Sequence, residues 1–398
     1  MNEFPNHMKI YYIANARMPT EKAHGIQLAK MCEAFIERGV ELELIVPNRK
    51  TSAVSLQEFY GLRTAIPLVT LPVLDTYNRG RIGFFLGSCT FMLAYVLYLW
   101  YKRLRGRRGI VYTTDIDQFS FIAIPLMGLN YFVEIHDAKK KTIPFSVLFK
   151  YASGVVTINR IIREELMAVF GIRKDKIIVH PNGIDLNQFN RGRVQAMDRR
   201  GLNIAQHEKI VLYSGKCYPW KGLEVLAEAA RLLPSLQFHL VGDTAENLLA
   251  ASGVNDIPSN LVCAGHRDYK EMPVWLSAAD IVLLLGTKEN EYSYRHTSPM
   301  KLFEYMASGR PVIASRTPAN QEIVSDAEVL FYEPDNARNL ADKIAYALEH
   351  AEEMKQRAAR AYEKVKGLTW EQRAGSILDF IVNQVNQVNK VNQARKIR

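Results

Sequence analysis

Short apolar runs alternate with segments of helical periodicity along most of the chain. In the N-terminal half, the runs that predict strands lie at 9–14, 41–47, 110–114, 131–135 and 154–158. Between the first two runs, the segment 26–38 has apolar residues at helical spacing and ends at Gly39, as a helix C-terminus does. Strands separated by helices over short connections indicate a parallel sheet with crossover helices.

The second half repeats this alternation. Its predicted strands and one clear helix, in chain order, lie at 209–214, 222–233 (the helix), 237–241, 261–264, 280–285, 311–314 and 328–331. Turn signals at 180–185 mark a boundary between the halves. We therefore predict an α/β fold of two doubly wound domains, 1–185 and 186–368, that face a central cleft.

The last segment, 369–398, is predicted to begin as a helix over 370–385. A three-residue repeat of valine and polar residues follows, and the chain ends in basic Arg395, Lys396 and Arg398. The repeat is too short and too polar to pack a core, so we expect a frayed basic tail.

Composition indicates a folded protein with reduced cysteines. The 398 residues are 48% hydrophobic and 23% charged. The four cysteines are far apart in the sequence and form no pairs with metal-site spacing, which favours reduced thiols over a disulfide framework: Cys32, Cys89, Cys217 and Cys263. The first apolar run is too short for a secretory signal, so we expect a cytoplasmic protein without a bound metal. The net charge of +10 favours an anionic partner. Basic and aromatic residues do not interleave, which argues against a nucleic acid as that partner.

One uncharged stretch, 82–101, is long enough to span a bilayer. Basic residues flank it on both sides: Arg79, Arg81, Lys102, Arg103, Arg105, Arg107 and Arg108. Three interpretations compete: a buried helix of the α/β domain, which we favour, a helix partly buried and partly in the membrane surface, and a spanning helix. Strand-like segments before and after the stretch make a spanning topology difficult to build.

One helix-initiating segment is the most informative for chemistry. Ser298 suits a helix N-cap and Pro299 the first helical position. The amides of Met300 and Lys301 would then be open to an anion. Glu304 lies among apolar helix residues, and a buried carboxylate needs partners such as sugar hydroxyl groups. The alternative is that Glu304 is an ordinary residue of the helix surface.

A loop between a predicted strand and helix carries the second candidate site. Gly215 permits a close backbone approach, and Lys216 and Lys221 bracket a loop that could contact a diphosphate. The glycine and Lys-Ser/Thr pattern of a P-loop is absent. The alternative is that both lysines are simply solvated.

In the N-terminal half, His136 ends an apolar strand and is a candidate polar contact to a ligand in the cleft. His24 and Gly25 lie in the loop before the first predicted helix, where the glycine would let a substrate approach the helix N-terminus. The sequence has no Ser-His-Asp order, no HExxH motif and no glycine fingerprint of a dinucleotide enzyme after its first strand.

The order and spacing of these motifs resemble the retaining glycosyltransferases of family 4, which have the GT-B fold of two Rossmann-like domains. The resemblance covers almost the whole chain. It rests on 13–27, on 180–185, on Lys216, on the Lys221-Gly222 pair and on the Thr369-Trp370 pair. It also rests on Ser298 to Pro311, which contains the bacterial-type motif Ser-Pro-x-Lys-Leu-Phe-Glu-Tyr-Met-Ala. It implies that the final helix returns to the N-terminal domain.

The resemblance also implies a reaction. A sugar would move, with retention of configuration, from a nucleoside diphosphate sugar, expected to be a UDP- or GDP-sugar, to a glycan or lipid-linked acceptor. Such a reaction belongs to cell-envelope polysaccharide or glycolipid synthesis, and it implies no cofactor beyond the donor substrate. A membrane surface is a further expected partner through 82–108, with a peripheral position on the inner face of the cell membrane.

Roles for individual residues follow from the same resemblance. The candidate catalytic residues are Lys216 and Lys221, which would hold the diphosphate, and His136, which would contact the donor sugar. The donor would also contact Gly215, Asp243, Arg267, His296, Ser298, Met300, Lys301 and Glu304, with Glu304 on the ribose and Asp243 and Arg267 near the base. His24 and Gly25 would lie on the acceptor side. His296 stands where the family often has a glutamate, eight positions before Glu304, which leaves the identity of the sugar open.

Two other functions stay open from the sequence. One is a nucleotide-sugar epimerase on the same fold, which would release a free sugar without any acceptor. The other is a non-catalytic protein that binds sugar nucleotides, which would neither hydrolyse nor transfer the donor sugar.

Overall fold

A computed structural model describes residues 8–49, 54–76, 79–189 and 195–397. By its contacts the chain divides into two compact units. The first unit runs to Pro181 and includes the C-terminal segment from Trp370, and the second unit is Asn182–Thr369.

Parallel strands form one sheet in each unit. The strands, in chain order, are β1 (Lys9–Ile13), β2 (Glu41–Pro47), β3 (Leu68–Leu71), β4 (Ile110–Thr114), β5 (Tyr131–Ile135), β6 (Gly154–Thr157), β7 (Ile177–Val179), β8 (Ile210–Ser214), β9 (Gln237–Val241), β10 (Leu261–Cys263), β11 (Ile281–Leu284), β12 (Val312–Ser315) and β13 (Leu330–Tyr332). The spatial orders are β3-β2-β1-β4-β5-β6-β7 and β10-β9-β8-β11-β12-β13. The strand order therefore reverses between β1 and β4 and between β8 and β11, which confirms the predicted doubly wound α/β class. Ligands of such sheets bind at the carboxyl ends of the strands beside the reversal.

Helices cover both faces of each sheet. They are α1 (Ala23–Glu37), α2 (Leu56–Tyr60), α3 (Gly80–Leu104), α4 (Ile143–Tyr151), α5 (Arg160–Phe170), α6 (Leu186–Phe189), α7 (Gln195–Gly201), α8 (Glu224–Leu232), α9 (Ala245–Ser252), α10 (Met272–Ala278), α11 (Met300–Ala307), α12 (Pro318–Gln321), α13 (Ala337–Glu349), α14 (Ala351–Val365) and α15 (Trp370–Ile397). In the second unit, one apolar cluster packs α10, α11 and α14 on the sheet and another packs α8 and α13.

The predicted tail is wrong, because α15 continues as one helix to Ile397. The valines of the repeat recur every three residues, and residues three apart lie on neighbouring positions of one helix face. Val382, Val385 and Val388 are accordingly half-buried along the helix. A polar repeat with apolar residues at this interval is thus compatible with a docked helix, which contacts α1 within the first unit.

Helix α3 corrects the interpretation of the uncharged stretch. Among the described residues, α3 is by length and composition long and apolar enough to cross a membrane, since an 18-residue window of it has a mean hydropathy of 1.9. One third of the residues in that window (33%) are buried within the protein. Phe91, Tyr95 and Leu99 belong to the core of the first unit, and β3 and β4, which precede and follow the helix, lie in one sheet. The spanning interpretation is therefore wrong. The favoured interpretation of a buried helix is correct only for the inner face of α3, because a stripe of large apolar side chains faces outward: Ile82, Phe85, Leu86, Leu93, Leu97, Trp100, Tyr101 and Leu104.

Candidate functional site

The carboxyl ends of β8 and β11, where the second sheet reverses, bring together much of the predicted donor site. Strand β8 leads directly into Gly215, and α11 begins shortly after β11. The Tyr305 hydroxyl of α11 accepts a hydrogen bond from the Ser214 amide at 3.0 Å and lies 3.1 Å from the Ser214 hydroxyl. The helix is thereby fixed to the strand end.

Two lysine side chains meet at this point. An ideal Cβ placed on Gly215 would lie 1.7 Å from the Nζ of Lys301 and 3.5 Å from the Nζ of Lys221. The absence of a side chain at Gly215, whose φ is +132°, thus leaves the space that the Lys301 amino group occupies. Lys221 also donates from Nζ to the carbonyl of Lys216 at 2.9 Å.

The surroundings of the two lysines disfavour their charged forms. Burial lowers the pKa of Lys221 well below its usual value, and the charge of Lys301 lowers it further. Burial also lowers the pKa of Lys301, against the opposing effects of a hydrogen bond with Lys221 and of the Glu304 charge. The rings of Tyr218 and Trp220 lie 5.1 and 5.4 Å from the Lys221 Nζ, a distance at which cation–π attraction operates.

Glu304 is buried, with 5% of its surface exposed, so the alternative of an ordinary surface residue is wrong. Burial raises the pKa of its carboxyl group, while the charge of Lys301 and a hydrogen bond with Tyr269 act in the opposite direction. Tyr269 was missed by sequence reasoning. It lies in a short helical turn after β10, and only the fold brings it to α11.

Helix α11 begins one residue later than predicted. The helix begins at Met300, Pro299 is the flanking residue, and no side chain caps the helix. The Ser298 hydroxyl instead accepts a hydrogen bond from the Asn182 amide at 3.0 Å, and the Ser298 carbonyl accepts one from the Asn182 side chain at 2.9 Å. Ser298 therefore holds the chain at the start of the second unit rather than capping the helix.

Asp243 follows β9 and organises the neighbouring loop. Its carboxylate accepts hydrogen bonds from the amide of Cys217 at 2.6 Å, the amide of Thr244 at 3.0 Å and the side chain of Asn247 at 2.6 Å. Asp243 and Lys216 line a cavity of about 470 Å³ beside the strand ends. The three hydrogen bonds hold the Asp243 carboxylate in the loop. The cavity beside it is the space that a ligand could occupy.

The other predicted donor residues occupy separate positions. Arg267 is exposed, with its guanidinium 5.7 Å from the ring of Trp275. His296 is buried in the helical turn that precedes α11. Met300 is half-buried in the first turn of α11.

In the first unit, His136 follows β5 and lies between two carboxylates. Its Nε2 is 2.5 Å from Glu134 and its Nδ1 is 3.6 Å from Asp115. Burial lowers the pKa of His136, but these carboxylates outweigh it and raise the pKa above its usual value. Asp115 has a φ of +46°, a backbone conformation that non-glycine residues rarely adopt and that occurs at functional sites. His24 interacts electrostatically with Asp115 and His136, so the structure brings the two predicted histidines together.

The predicted role of Gly25 is wrong. It lies in the first turn of α1 rather than before the helix, and a Cβ there would lie 2.5 Å from both the Thr20 side chain and the Tyr60 hydroxyl. The hydroxyl of Tyr60 also accepts from the Thr20 amide at 2.7 Å and donates to the Thr20 carbonyl at 2.8 Å. The space beside Gly25 is therefore filled by protein.

Part of the chain matches the sequence model of a known protein family. Residues 194–364, which include the two lysines and Glu304, match the sequence model of the family described as glycosyl transferases group 1. The glycosyltransferase TuaH of Bacillus subtilis, named for teichuronic acid biosynthesis, is 30% identical over 38% of this chain and 37% of its own length. A Campylobacter jejuni enzyme, N,N'-diacetylbacillosaminyl-diphospho-undecaprenol alpha-1,3-N-acetylgalactosaminyltransferase, is 28% identical over 52% of this chain and 54% of its own length. The chain spans about half or less of the length of these curated relatives.

Solved structures resemble the chain over nearly its whole length. A glycosyltransferase from Rickettsia africae has a TM-score of 0.73 at 16% identity and covers 96% of this chain and 99% of its own. Anabaena HepE, solved in complex with UDP and glucose, has a TM-score of 0.69 at 18% identity and covers 94% and 100%. These likenesses confirm the predicted GT-B fold of two Rossmann-like domains.

Proposed function

We propose that this protein is a retaining glycosyltransferase of family 4 that moves a sugar from a nucleoside diphosphate sugar to a glycan or lipid-linked acceptor. The observation that carries the proposal is the convergence of Lys221, Lys301 and Glu304 at the β8/β11 reversal. All three lie within the segment that matches the glycosyl transferases group 1 family.

Each group has a distinct chemical task in this reaction. The leaving nucleoside diphosphate gains negative charge as its bond to the sugar breaks, and positioned cations lower the barrier by stabilising that charge. Lys221 and Lys301 supply such cations beside a backbone that Gly215 leaves open. Glu304, buried one turn further along α11, accepts hydrogen bonds from the ribose hydroxyl groups. UDP- and GDP-sugars are the donors that we propose.

The proposed acceptor is a lipid-linked glycan at the cytoplasmic membrane surface. The C. jejuni relative is named for an acceptor on diphospho-undecaprenol. The exposed apolar stripe of α3, followed by exposed Arg103, Arg105, Arg107 and Arg108, has the composition of a helix that lies in an anionic membrane interface.

A donor assay tests the proposal. The full chain is incubated with UDP-, GDP-, ADP- and dTDP-sugars, with and without undecaprenyl-diphosphate saccharides, and released nucleoside diphosphate and free sugar are measured. Transfer with retained anomeric configuration supports the proposal. Free sugar of inverted stereochemistry at a ring carbon, formed without acceptor, would instead identify an epimerase. Donor binding without hydrolysis or transfer would identify a non-catalytic binding protein.

Substitution of Gly215 by alanine is expected to weaken nucleoside diphosphate binding. The new Cβ would displace the Lys301 amino group, whose charge-assisted hydrogen bond to a phosphate is worth about 1.5–3 kcal/mol. The dissociation constant, measured by calorimetry, should therefore rise about tenfold or more. Gly253→Ala is the matched control, because Gly253 also has a positive φ, of +68°, but a Cβ there meets nothing within 4 Å. Equal affinities in the two variants would contradict the role of Gly215.

Loss of the α3 surface is expected to abolish membrane binding. In vesicle flotation with anionic and neutral lipids, the wild type should bind anionic vesicles, whereas Leu97→Asp with Trp100→Asp should not. Reversing the four arginines after the stripe to glutamate should weaken binding at least about a hundredfold, since each basic residue contributes about 1 kcal/mol. Met197→Asp is the control, because Met197 is equally exposed, at 62%, in the second unit. A variant of α3 that floats like the wild type would contradict the membrane contact.

A further inference from the structure

The amino groups of Lys221 and Lys301 lie side by side: an ideal Cβ on Gly215 would lie 3.5 Å from the first and 1.7 Å from the second. A lysine ammonium has three donors and no acceptor. Neither ammonium group can therefore accept a hydrogen bond from the other, and their mutual repulsion in a buried site favours the neutral amine form for one of them. Both amino groups lie over the backbone of Gly215, which has no side chain to separate them.

The groups around the pair do not compensate two positive charges. Glu304 faces Lys301, but its carboxyl also bonds Tyr269. Asp243 faces Lys221, but its carboxylate already accepts three hydrogen bonds from its own loop. Burial raises the pKa of Cys217 to about 12 and that of Tyr213 well above its usual value, so neither brings a negative charge to the pair near neutral pH.

We infer that binding of a nucleoside diphosphate is coupled to the uptake of one proton by the Lys221–Lys301 pair, and that Lys301 is the second cation of the diphosphate site. This inference rests on the proposed function. A diphosphate brings negative charge against both amino groups and favours their charged forms. The neutral amine then takes a proton from the buffer, and two ammonium groups hold the phosphates in the complex.

The coupling has a defined sign. The complex holds more protons than the free protein, so affinity falls as pH rises above the pKa of the neutral amine. One proton per complex corresponds to a change of about tenfold in the dissociation constant per pH unit. The terminal phosphate of the nucleotide has a pKa near 6, so measurements above about pH 7 avoid its own titration.

Isothermal titration calorimetry of the full chain with UDP and with GDP at pH 7.5 tests this coupling. Titrations in Tris, HEPES and PIPES, whose ionisation enthalpies differ, give the number of protons taken up. The wild type should take up between about one half and one proton per nucleotide. Lys301→Met should bind about tenfold more weakly or worse and take up markedly less than the wild type, because the repulsion that Lys301 exerts on a charged Lys221 is removed.

Two further variants separate charge from structure. Lys301→Arg keeps a positive charge beside Lys221 and should retain both affinity and proton uptake. Lys209→Met, at the opposite end of β8, should behave as the wild type. Binding without proton uptake by the wild type would overturn the inference and leave the proposed function standing, as would full uptake by Lys301→Met. Failure of the wild type to bind any nucleoside diphosphate would overturn the proposed function and the inference with it.

Discussion

Replacement of Lys221 by methionine is expected to slow sugar transfer by about ten- to a hundredfold or more. The lysine supplies a charge-assisted hydrogen bond to the leaving diphosphate that is worth about 1.5–3 kcal/mol, and each 1.36 kcal/mol of barrier is about tenfold in rate. Because the interaction strengthens as the leaving group gains charge, the loss should fall on kcat and kcat/KM together. The measurement is the initial rate of nucleoside diphosphate release from the donor that the wild type turns over.

The fold of this variant should remain intact. Burial and the charge of Lys301 both act against a charged Lys221, so its removal relieves an unfavourable interaction that offsets the loss of its hydrogen bond to the Lys216 carbonyl. The thermal unfolding midpoint without nucleotide should stay at or above the wild-type value, as it should for Lys209→Met. A Lys221→Met variant that folds and transfers at the wild-type rate would contradict the assignment of the diphosphate site.

Replacement of Arg373 by methionine is expected to destabilise the first unit by about 3–5 kcal/mol. Arg373 and Glu134 are both 0% exposed, and their side chains meet at 2.9 Å between α15 and β5. Removing one partner of a buried pair leaves an uncompensated charge, which accounts for a loss of this size. Arg373 also donates from Nε to the carbonyl of Pro181 at 2.9 Å. The variant therefore also loses the hydrogen bond that holds Pro181, the last residue of the first unit before the second unit begins. Urea unfolding followed by circular dichroism measures the change.

The loss should depend on pH. Burial alone would raise the pKa of Glu134, but the charge of Arg373 and hydrogen bonds from His136 and Tyr112 lower it far below its usual value. A lowered folded-state pKa gives stability that is present above the unfolded carboxyl pKa near 4.3 and is lost as pH falls through the folded value. The difference between the variant and the wild type should thus be full at pH 7 and shrink in strong acid.

A surface arginine of the same helix contact provides the control. Arg38 donates from Nε to the carbonyl of Glu371 at 2.8 Å on the exposed side of α15, and Arg38→Met should cost less than about 1 kcal/mol. Pairing Arg373→Met with Glu134→Leu should restore part of the stability, because the Glu134 carboxylate is then no longer buried without Arg373. Equal stabilities of Arg373→Met and Arg38→Met would contradict the structural role of the buried pair.

The central strands were predictable because parallel strands covered on both faces are continuous apolar runs. The sequence marks β5 (Tyr131–Ile135) and β9 (Gln237–Val241) at the observed bounds. It does not mark β3 and β7, which are the edges of the first sheet and only partly buried. An edge strand has no complete apolar pattern, and its strand conformation depends on a neighbour that sequence periodicity does not specify.

The site was predictable where a local pattern determines burial. Glu304 stands between apolar helix residues, so its burial followed from the helix alone. The pairing of Lys221 with Lys301 did not follow, because it depends on the backbone at Gly215 and on the distance between two loops. Glu134 was missed for the same reason: its partner Arg373 is supplied by a helix at the other end of the chain.

The outward face of α3 could not be read from its composition. Buried Phe91 and exposed Leu93 are equally apolar, and only the position of the sheet decides which faces the core. An exposed apolar stripe of this length is uncommon on a protein that contacts only water, which is why a membrane or another apolar partner is the expected environment of this face.

Thermal unfolding in the presence of UDP, GDP, ADP and dTDP shows whether Lys221, Lys301 and Glu304 form a nucleoside diphosphate site. At about a hundred times the dissociation constant, a bound nucleotide adds about 2.7 kcal/mol to the stability of the protein that binds it. At least one of these nucleotides should raise the unfolding temperature of the wild type, and the shift should be lost in Lys221→Met. If none of the four raises the unfolding temperature of the wild type, Lys221, Lys301 and Glu304 do not form a nucleoside diphosphate site.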